Sequence, residues 1–169
     1  MAKILMIIAP ERFRDEELFV PKAEFDQRGH EVVIASTKIG LCSGSRGGTA
    51  CSVQLLKDTN SDTFDAVVFV GGGGSKLLFD DTDAIRIARE MHKNGKVVSA
   101  ICLAPVILAN AGVLNNKKAT VSGQEAKTIE AKGAIYTQPG VTVDGNIVTG
   151  NAPKSSKLFG ETICGLLPQ

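Results

Sequence analysis

Cys102 occupies the place in this chain best suited to nucleophilic chemistry. It follows a short apolar run, Val97-Val98-Ser99-Ala100-Ile101, that reads as a buried strand. It precedes Leu103–Ala109, which reads as a helix with Pro105 in its first turn. Proline is tolerated there because first-turn N–H groups have no partner within the helix. Ala100 and Ala104, the second neighbours of the cysteine, add no bulk to the turn. Strand, sharp turn and helix with small flanks is the layout of a nucleophile elbow, which lifts one side chain above the C-terminal end of a strand. The free N–H groups and dipole of the following helix favour a thiolate over a thiol. The alternative is a small hydrophobe packed in the core, a common fate of free cysteine.

Two further stretches carry groups that a thiolate would use. Gly71-Gly72-Gly73-Gly74-Ser75 follows the apolar run Phe64–Val70. Glycine lets backbone approach closely and take unusual φ, so an N–H from this run, with that of Leu103, would form an oxyanion hole. The loop after the first apolar run supplies four acids, Glu11, Asp15, Glu16 and Glu17. A buried, protonated carboxyl among them would donate a hydrogen bond to the thiolate and hold its pKa down. The glycine run does not read as a nucleotide loop. Ser75-Lys76 reverses the Lys-Ser/Thr order of a phosphate loop, and no G-x-G-x-x-G with a downstream acid is present.

The elements that must position these groups alternate along the chain. Lys3–Ala9 reads as a buried strand ended by Pro10. Arg14–Arg28 reads as a helix stopped by Gly29, with Pro21 inside it predicting a kink and an unpartnered Glu17 carbonyl. His30–Thr37 is a second strand, and Ile39–Gln54, rich in Gly and Ser, a hairpin or long loop. Thr82–Lys93 is a helix capped by Asp81 or Thr82. After the elbow, Ala119–Val121 reads as a short strand and Ser122-Gly123-Gln124-Glu125 as a capping box opening a helix to about Lys132. Asp144-Gly145-Asn146 between Val141–Val143 and Ile147–Thr149 is a hairpin signal, and Leu158–Leu167 a closing amphipathic helix. Continuous apolar strands alternating with helices predict an α/β fold: a flavodoxin-like, doubly wound, mostly parallel sheet sandwiched by helices, with an added β-hairpin. Sites in such sheets lie beyond the strand C-termini, where all three chemical stretches fall.

Composition bounds the rest. The 169 residues, 43% apolar with a net charge of +1 and mean hydropathy of +0.08, predict a single domain over 1–169 with a real core. No Lys/Arg run marks a nucleic-acid or membrane-surface partner. Four cysteines without a CxxC pair, and two histidines, argue against a metal site, and no cofactor motif is present. No apolar run approaches the roughly 18 residues that span a membrane, and the Ile4–Ala9 run is too short for a signal peptide. A cytoplasmic protein with reduced thiols is expected. Cys42 and Cys51 would then be two free thiols rather than a disulfide, and Cys164 a core or interface residue.

Several stretches together resemble the ThiJ/PfpI superfamily, which includes PfpI-type intracellular proteases and the parkinsonism-associated deglycase. They are KILMIIAP, DEELFVP with GHEVVIAS, FDAVVFVGGGG, GKVVSAICLAPVILANAGVL, KKATV and DGNIVTGNAPKSSKLFGETI, spread over nearly the whole chain. By this resemblance Cys102 is the family cysteine and Glu17, four residues before Pro21, the family glutamate that hydrogen-bonds it. Gly72 and Leu103 take the oxyanion positions. The resemblance also implies a homodimer or hexamer with the cysteine near an interface. It departs from the pattern at two places. PfpI-type members carry histidine directly after the cysteine, where this chain has Leu103; the deglycase branch carries one after the KKAT-like strand, roughly where this chain has Ser122. His30, leading a strand, and His92, ending a helix, read as structural or solvent-facing residues.

Three readings follow. The thiolate adds to a small carbonyl electrophile, glyoxalase- or deglycase-like, or serves a hydrolase or amidase, with proteolysis weakened by the missing histidine. Alternatively it is a redox-responsive cysteine oxidised to sulfenic and sulfinic acid. The third is an inert relic of the family site.

Overall fold

In the computed structural model, which describes residues 1–168, the apolar runs lie side by side in one sheet. The strands are β1 (Lys3–Ile7), β2 (Glu11–Phe13), β3 (Glu31–Ser36), β4 (Gly40–Gly44), β5 (Thr49–Ser52), β6 (Gln54–Leu55), β7 (Ala66–Phe69), β8 (Val97–Ile101), β9 (Lys118–Ala119), β10 (Ile135–Tyr136), β11 (Val141–Asp144) and β12 (Ile147–Gly150). The helices are α1 (Asp15–Gln27), α2 (Thr82–Lys93), α3 (Pro105–Asn110), α4 (Ala126–Ala131) and α5 (Ser156–Leu166). Gln169, the last residue of the expected 1–169 domain, lies outside the described residues.

The main sheet runs β11-β12-β8-β7-β1-β3-β6, parallel throughout except for β11, which returns antiparallel on β12 across the Asp144–Ile147 turn. This is the flavodoxin-like sandwich expected from the sequence. Alternation along each strand sends side chains to both faces. Leu5, Ile7, Val67, Phe69 and Val98 pack on Ile87 of α2, Ile107 of α3 and Ile129 of α4. Ile4, Met6, Ala66, Val68 and Ile101 pack on Leu18 and Phe25 of α1 and Phe159 and Ile163 of α5. Each such aliphatic or aromatic side chain taken out of water contributes about 1.5–3 kcal/mol, which is why these strands read as unbroken apolar runs.

Local chemistry explains most boundaries. Asp81 caps α2, its carboxylate accepting from the N–H groups of Asp83 at 3.0 Å and Ala84 at 2.9 Å. The expected capping box at Ser122 does not form. Ser122 makes no side-chain cap bond, and a 3-10 turn over Gly123–Glu125 leads into α4 instead. Pro21, where a kink is expected, lies inside α1, which is helical on both sides of it. Pro21 is buried there against α5, where a Cβ on Gly160 would stand 2.9 Å from its Cα.

The added hairpin is β4–β5, and it forms a second sheet in the order β2-β4-β5. Three residues expected as loop, Glu11–Phe13, become β2 by pairing with β4. Asp15 ties this sheet to α1, accepting from the N–H groups of Arg46 at 2.9 Å and Gly48 at 2.7 Å. Cys42 stands opposite Ala50 and Leu41 opposite Cys51, so the two thiols point to opposite faces, Cys42 buried and Cys51 exposed, and both are free.

Candidate functional site

β8 delivers Cys102 to the C-terminal edge of the sheet, and the backbone turns sharply there. Cys102 has φ +65°, a left-handed conformation rare outside glycine; holding it costs on the order of 1–3 kcal/mol, a strain met most often at functional sites. Backbone hydrogen bonds hold the turn. The Cys102 N–H donates to the Gly150 carbonyl at 2.9 Å, and the Ser122 N–H donates to the Cys102 carbonyl at 2.7 Å. The side chain stays partly exposed, against the face of the sheet covered by α1 and α5.

Of the four acids in the first loop, only Glu17 meets the cysteine. Glu11 is exposed on β2, Asp15 clamps the hairpin, and Glu16 is held by Arg14 through two bonds of 3.0 Å. Glu17 is fully buried, 0% exposed. Neither of its carboxyl oxygens has a partner in full hydrogen-bond geometry; the groups that face it are the Cys102 thiol and the Gly71 N–H. Burial without compensation disfavours the charged form and pushes Glu17 up to about 8, so at neutral pH it keeps its proton.

Gly71 and Gly72 make the approach possible. A Cβ on Gly71 would stand 2.5 Å from Glu17 Oε1, 2.5 Å from the Ile101 carbonyl oxygen and 2.8 Å from the Cys102 Cβ. Gly72, at φ +99°, lies so close under the Arg14 N–H that no side chain fits. The next residues wind into a 3-10 helix over Gly73–Leu78, with Ser75 closing onto the Gly72 carbonyl at 2.7 Å. The N–H groups of Gly72 and Leu103 face the Cys102 sulfur and pull its pKa down.

They do not win outright. Burial, then the charge of Glu17 and its close approach to the sulfur, push Cys102 up to about 12, so the depressed thiol expected from the sequence is not found with Glu17 ionised. Below about pH 8 Glu17 is neutral, its repulsion vanishes, and its O–H becomes a donor to the sulfur. Thiol and carboxyl therefore titrate as a pair, and which of them holds the shared proton sets the nucleophile.

No histidine of this chain joins them. His30 precedes β3 and His92 ends α2 ahead of β8, both at the opposite edge of the sheet from Cys102. His30 Nδ1 accepts from the Ala2 N–H at 2.9 Å, and burial lowers its pKa. Leu103 is buried, and residue 122 reaches the elbow through its backbone. Among the described residues no three metal-ligating side chains gather. Sequence reasoning singled out Cys102, Glu17, Gly72 and Leu103, and all four meet. It missed Arg14, whose guanidinium is raised by Glu16 first and then by the charges of Glu17 and Cys102, and it missed the particular part of Gly71, hidden in a run of four glycines.

Known proteins share this architecture. A ThiJ/PfpI domain protein from Brachyspira murdochii superposes with a TM-score of 0.95 at 35% identity, over 97% of this chain and 95% of its own. The deglycase PfpI of Pyrococcus furiosus is 38% identical over 152 residues, 89% of this chain and 90% of its own. An uncharacterized protein of Methanocaldococcus jannaschii is 46% identical over 162 residues, 94% of this chain and 79% of its own. The family model described as DJ-1/PfpI matches residues 2–165, and with these likenesses it places the chain in the DJ-1/PfpI family.

Proposed function

We propose that the protein is a cysteine-dependent enzyme acting on small carbonyl electrophiles, 2-oxoaldehydes or their adducts, in the manner of a glyoxalase or deglycase. The observation that carries this reading is the partly exposed thiol of Cys102, in a strained left-handed elbow, beside a carboxyl that is wholly buried and lacks any ion-pair partner. A structural carboxyl would be paired; an unpaired one kept protonated near neutrality suits proton transfer.

In the first step the Cys102 sulfur forms a bond to the carbonyl carbon and the π pair moves to the oxygen. The N–H groups of Gly72 and Leu103 stabilise that oxyanion. Glu17 gives its proton to the oxygen and takes the proton leaving the thiol, so the product is a neutral thiohemiacetal and Glu17 is regenerated. Relatives named deglycases, among them that of Pyrococcus furiosus, support the substrate class. Hydrolysis of amides by the same thiol is the variant; the missing histidine weighs against proteolysis, which needs a proton for the leaving amine.

A second reading has its own support. With no imidazole beside Cys102, the thiol is free to serve as a redox-responsive group, and a protonated Glu17 would donate to an oxygen of the sulfinic acid. A homodimer or hexamer, implied by the family resemblance, finds an apolar surface on the hairpin, where Ile39, Leu41 and Val53 are exposed.

Following methylglyoxal loss and hydroxyacid formation in wild type and Cys102→Ser tests the first reading, beside peroxide titration with mass spectrometry of the Cys102 peptide. Turnover that vanishes in Cys102→Ser supports the enzyme. Selective oxidation of Cys102 without turnover favours the redox protein, and neither result leaves an inert site.

A further inference from the structure

A groove of about 560 Å³ runs along the surface between the start of α1 and the start of α5. Arg14, Glu16, Lys154 and Lys157 line it, with Val20 and Pro153 among its apolar walls. Three cations thus face one carboxylate. Glu16 is already held by Arg14, through Nε and Nη2 at 3.0 Å each, which leaves Nη1 without a partner among the described residues. Lys157 bonds Glu24 at 2.8 Å, but Glu24 is shared with Arg28 at 2.6 Å. Lys154 is exposed and has no ion-pair partner among the described residues. The groove therefore keeps unspent positive charge beside an apolar wall.

Backbone ties the groove to the cysteine: the Arg14 N–H donates to the Gly71 carbonyl at 2.9 Å, and Gly71 lies against the Cys102 side chain. Glu16 precedes Glu17, which faces the Cys102 thiol, and Arg14 feels the charges of Glu17 and Cys102. Ala152, two residues beyond the Gly150 carbonyl that accepts the Cys102 N–H, lines the far wall. We propose that this groove is the anion subsite of the Cys102 centre, and that the preferred substrates are carbonyl compounds carrying a carboxylate or a phosphate a few bonds from the carbonyl. The inference rests on the carbonyl chemistry proposed above. Arg14 supplies a preorganised donor, fixed by its fork onto Glu16. Lys154 and Lys157 supply the field that draws the anion in.

Paired alkylating reagents test it without relying on turnover. Iodoacetate and iodoacetamide both place a carbon on the Cys102 sulfur, with iodide leaving and the thiol proton passing to solvent; only the first is an anion. Their rates at Cys102 are read by mass spectrometry of its peptide. The expected ratio of iodoacetate to iodoacetamide is higher on the native protein than on the unfolded chain. It falls about threefold to fivefold in Arg14→Gln and in Lys154→Gln, the size of one partly exposed charge contact, and it falls with added salt. Arg14→Lys and Lys154→Arg preserve it in part, and Lys93→Gln, on α2, leaves it unchanged. Protection by glyceraldehyde 3-phosphate and not by glyceraldehyde assigns a phosphate; protection by glyoxylate assigns a carboxylate. A ratio indifferent to Arg14 and Lys154 in variants that still react with iodoacetamide overturns the subsite and leaves the cysteine reading standing. A native Cys102 that reacts with neither reagent overturns both.

Discussion

Glu17 and Glu24 lie seven residues apart, two turns along the same helix, and both are buried, yet the protein treats them in opposite ways. Glu24, 7% exposed, is held by Lys157 on one oxygen and Arg28 on the other, and these hydrogen bonds, Lys157 first, keep its carboxyl below the usual carboxylate range. Glu17, 0% exposed, has neither, and burial pushes it up to about 8. Glu24 joins α1 to α5, and its ionised form stabilises the fold. Glu17 makes the fold less stable at any pH where the unfolded chain would ionise it. A side chain kept at such a cost points to chemistry, and what it faces is a thiol.

The largest test of that contrast is turnover. Glu17→Gln removes the proton carrier, and carbonyl turnover should fall on the order of a hundredfold or more, with the step near pH 8 lost from the alkylation profile of Cys102. Glu24→Gln should leave both unchanged. If the two variants lose activity equally, Glu17 has no special part.

Stability against pH comes next. Between the ordinary value of 4.5 and about 8, the unfolded chain has released the Glu17 proton and the native protein has not. Stability therefore declines as pH rises through this window and levels off above it. Glu17→Gln should abolish the decline and outlast wild type at pH 8 by up to a few kcal/mol, with no difference at pH 4, as read by urea melts. Glu24 works at the other limb. Its stabilisation is present above the ordinary value and is lost as pH falls through its lowered folded value. In Glu24→Gln the acid limb should flatten, and melting at pH 7 should drop modestly.

Gly71→Ala sharpens the comparison from the backbone side. The added methyl meets Glu17, Ile101 and Cys102 together and should destabilise by about 1–3 kcal/mol, as overpacked sites do. Thiol reactivity should change with it, while the Glu24 pairs stay intact. The smallest effect is expected at the caps. Asp81→Ala should cost about 1 kcal/mol in thermal melts, whereas Ser122→Ala, which removes no cap bond, should cost none.

Much of this was legible in the sequence wherever one segment decides its own conformation. The elbow strand Val97–Ile101 and the helix Thr82–Lys93 fall at the bounds read from apolar pattern and cap, and the Asp144–Ile147 turn closes its hairpin. What stayed hidden depends on partners far along the chain. β2 is three residues long and exists only because β4 pairs with it. Ser122 gives up its cap role where its N–H binds the elbow carbonyl. The helix signal after Cys102 predicts an acidic thiol, but desolvation is a property of the assembled site, and no local pattern reports it. The groove cations Lys154 and Lys157 lie some 140 residues from Arg14 in the sequence.

The elbow also sets when the site comes into being during synthesis. Cys102 is held on one side by Gly150 and on the other by Ser122, while its carboxyl partner comes from residue 17. A growing chain that has released Cys102 but not yet residue 150 therefore lacks the acceptor for the Cys102 N–H. The Gly150 carbonyl that accepts the Cys102 N–H arrives only when β12 docks beside β8. The elbow is complete only when the sheet is, so a chain that ends before β12 has Cys102 without the backbone bond that holds its turn.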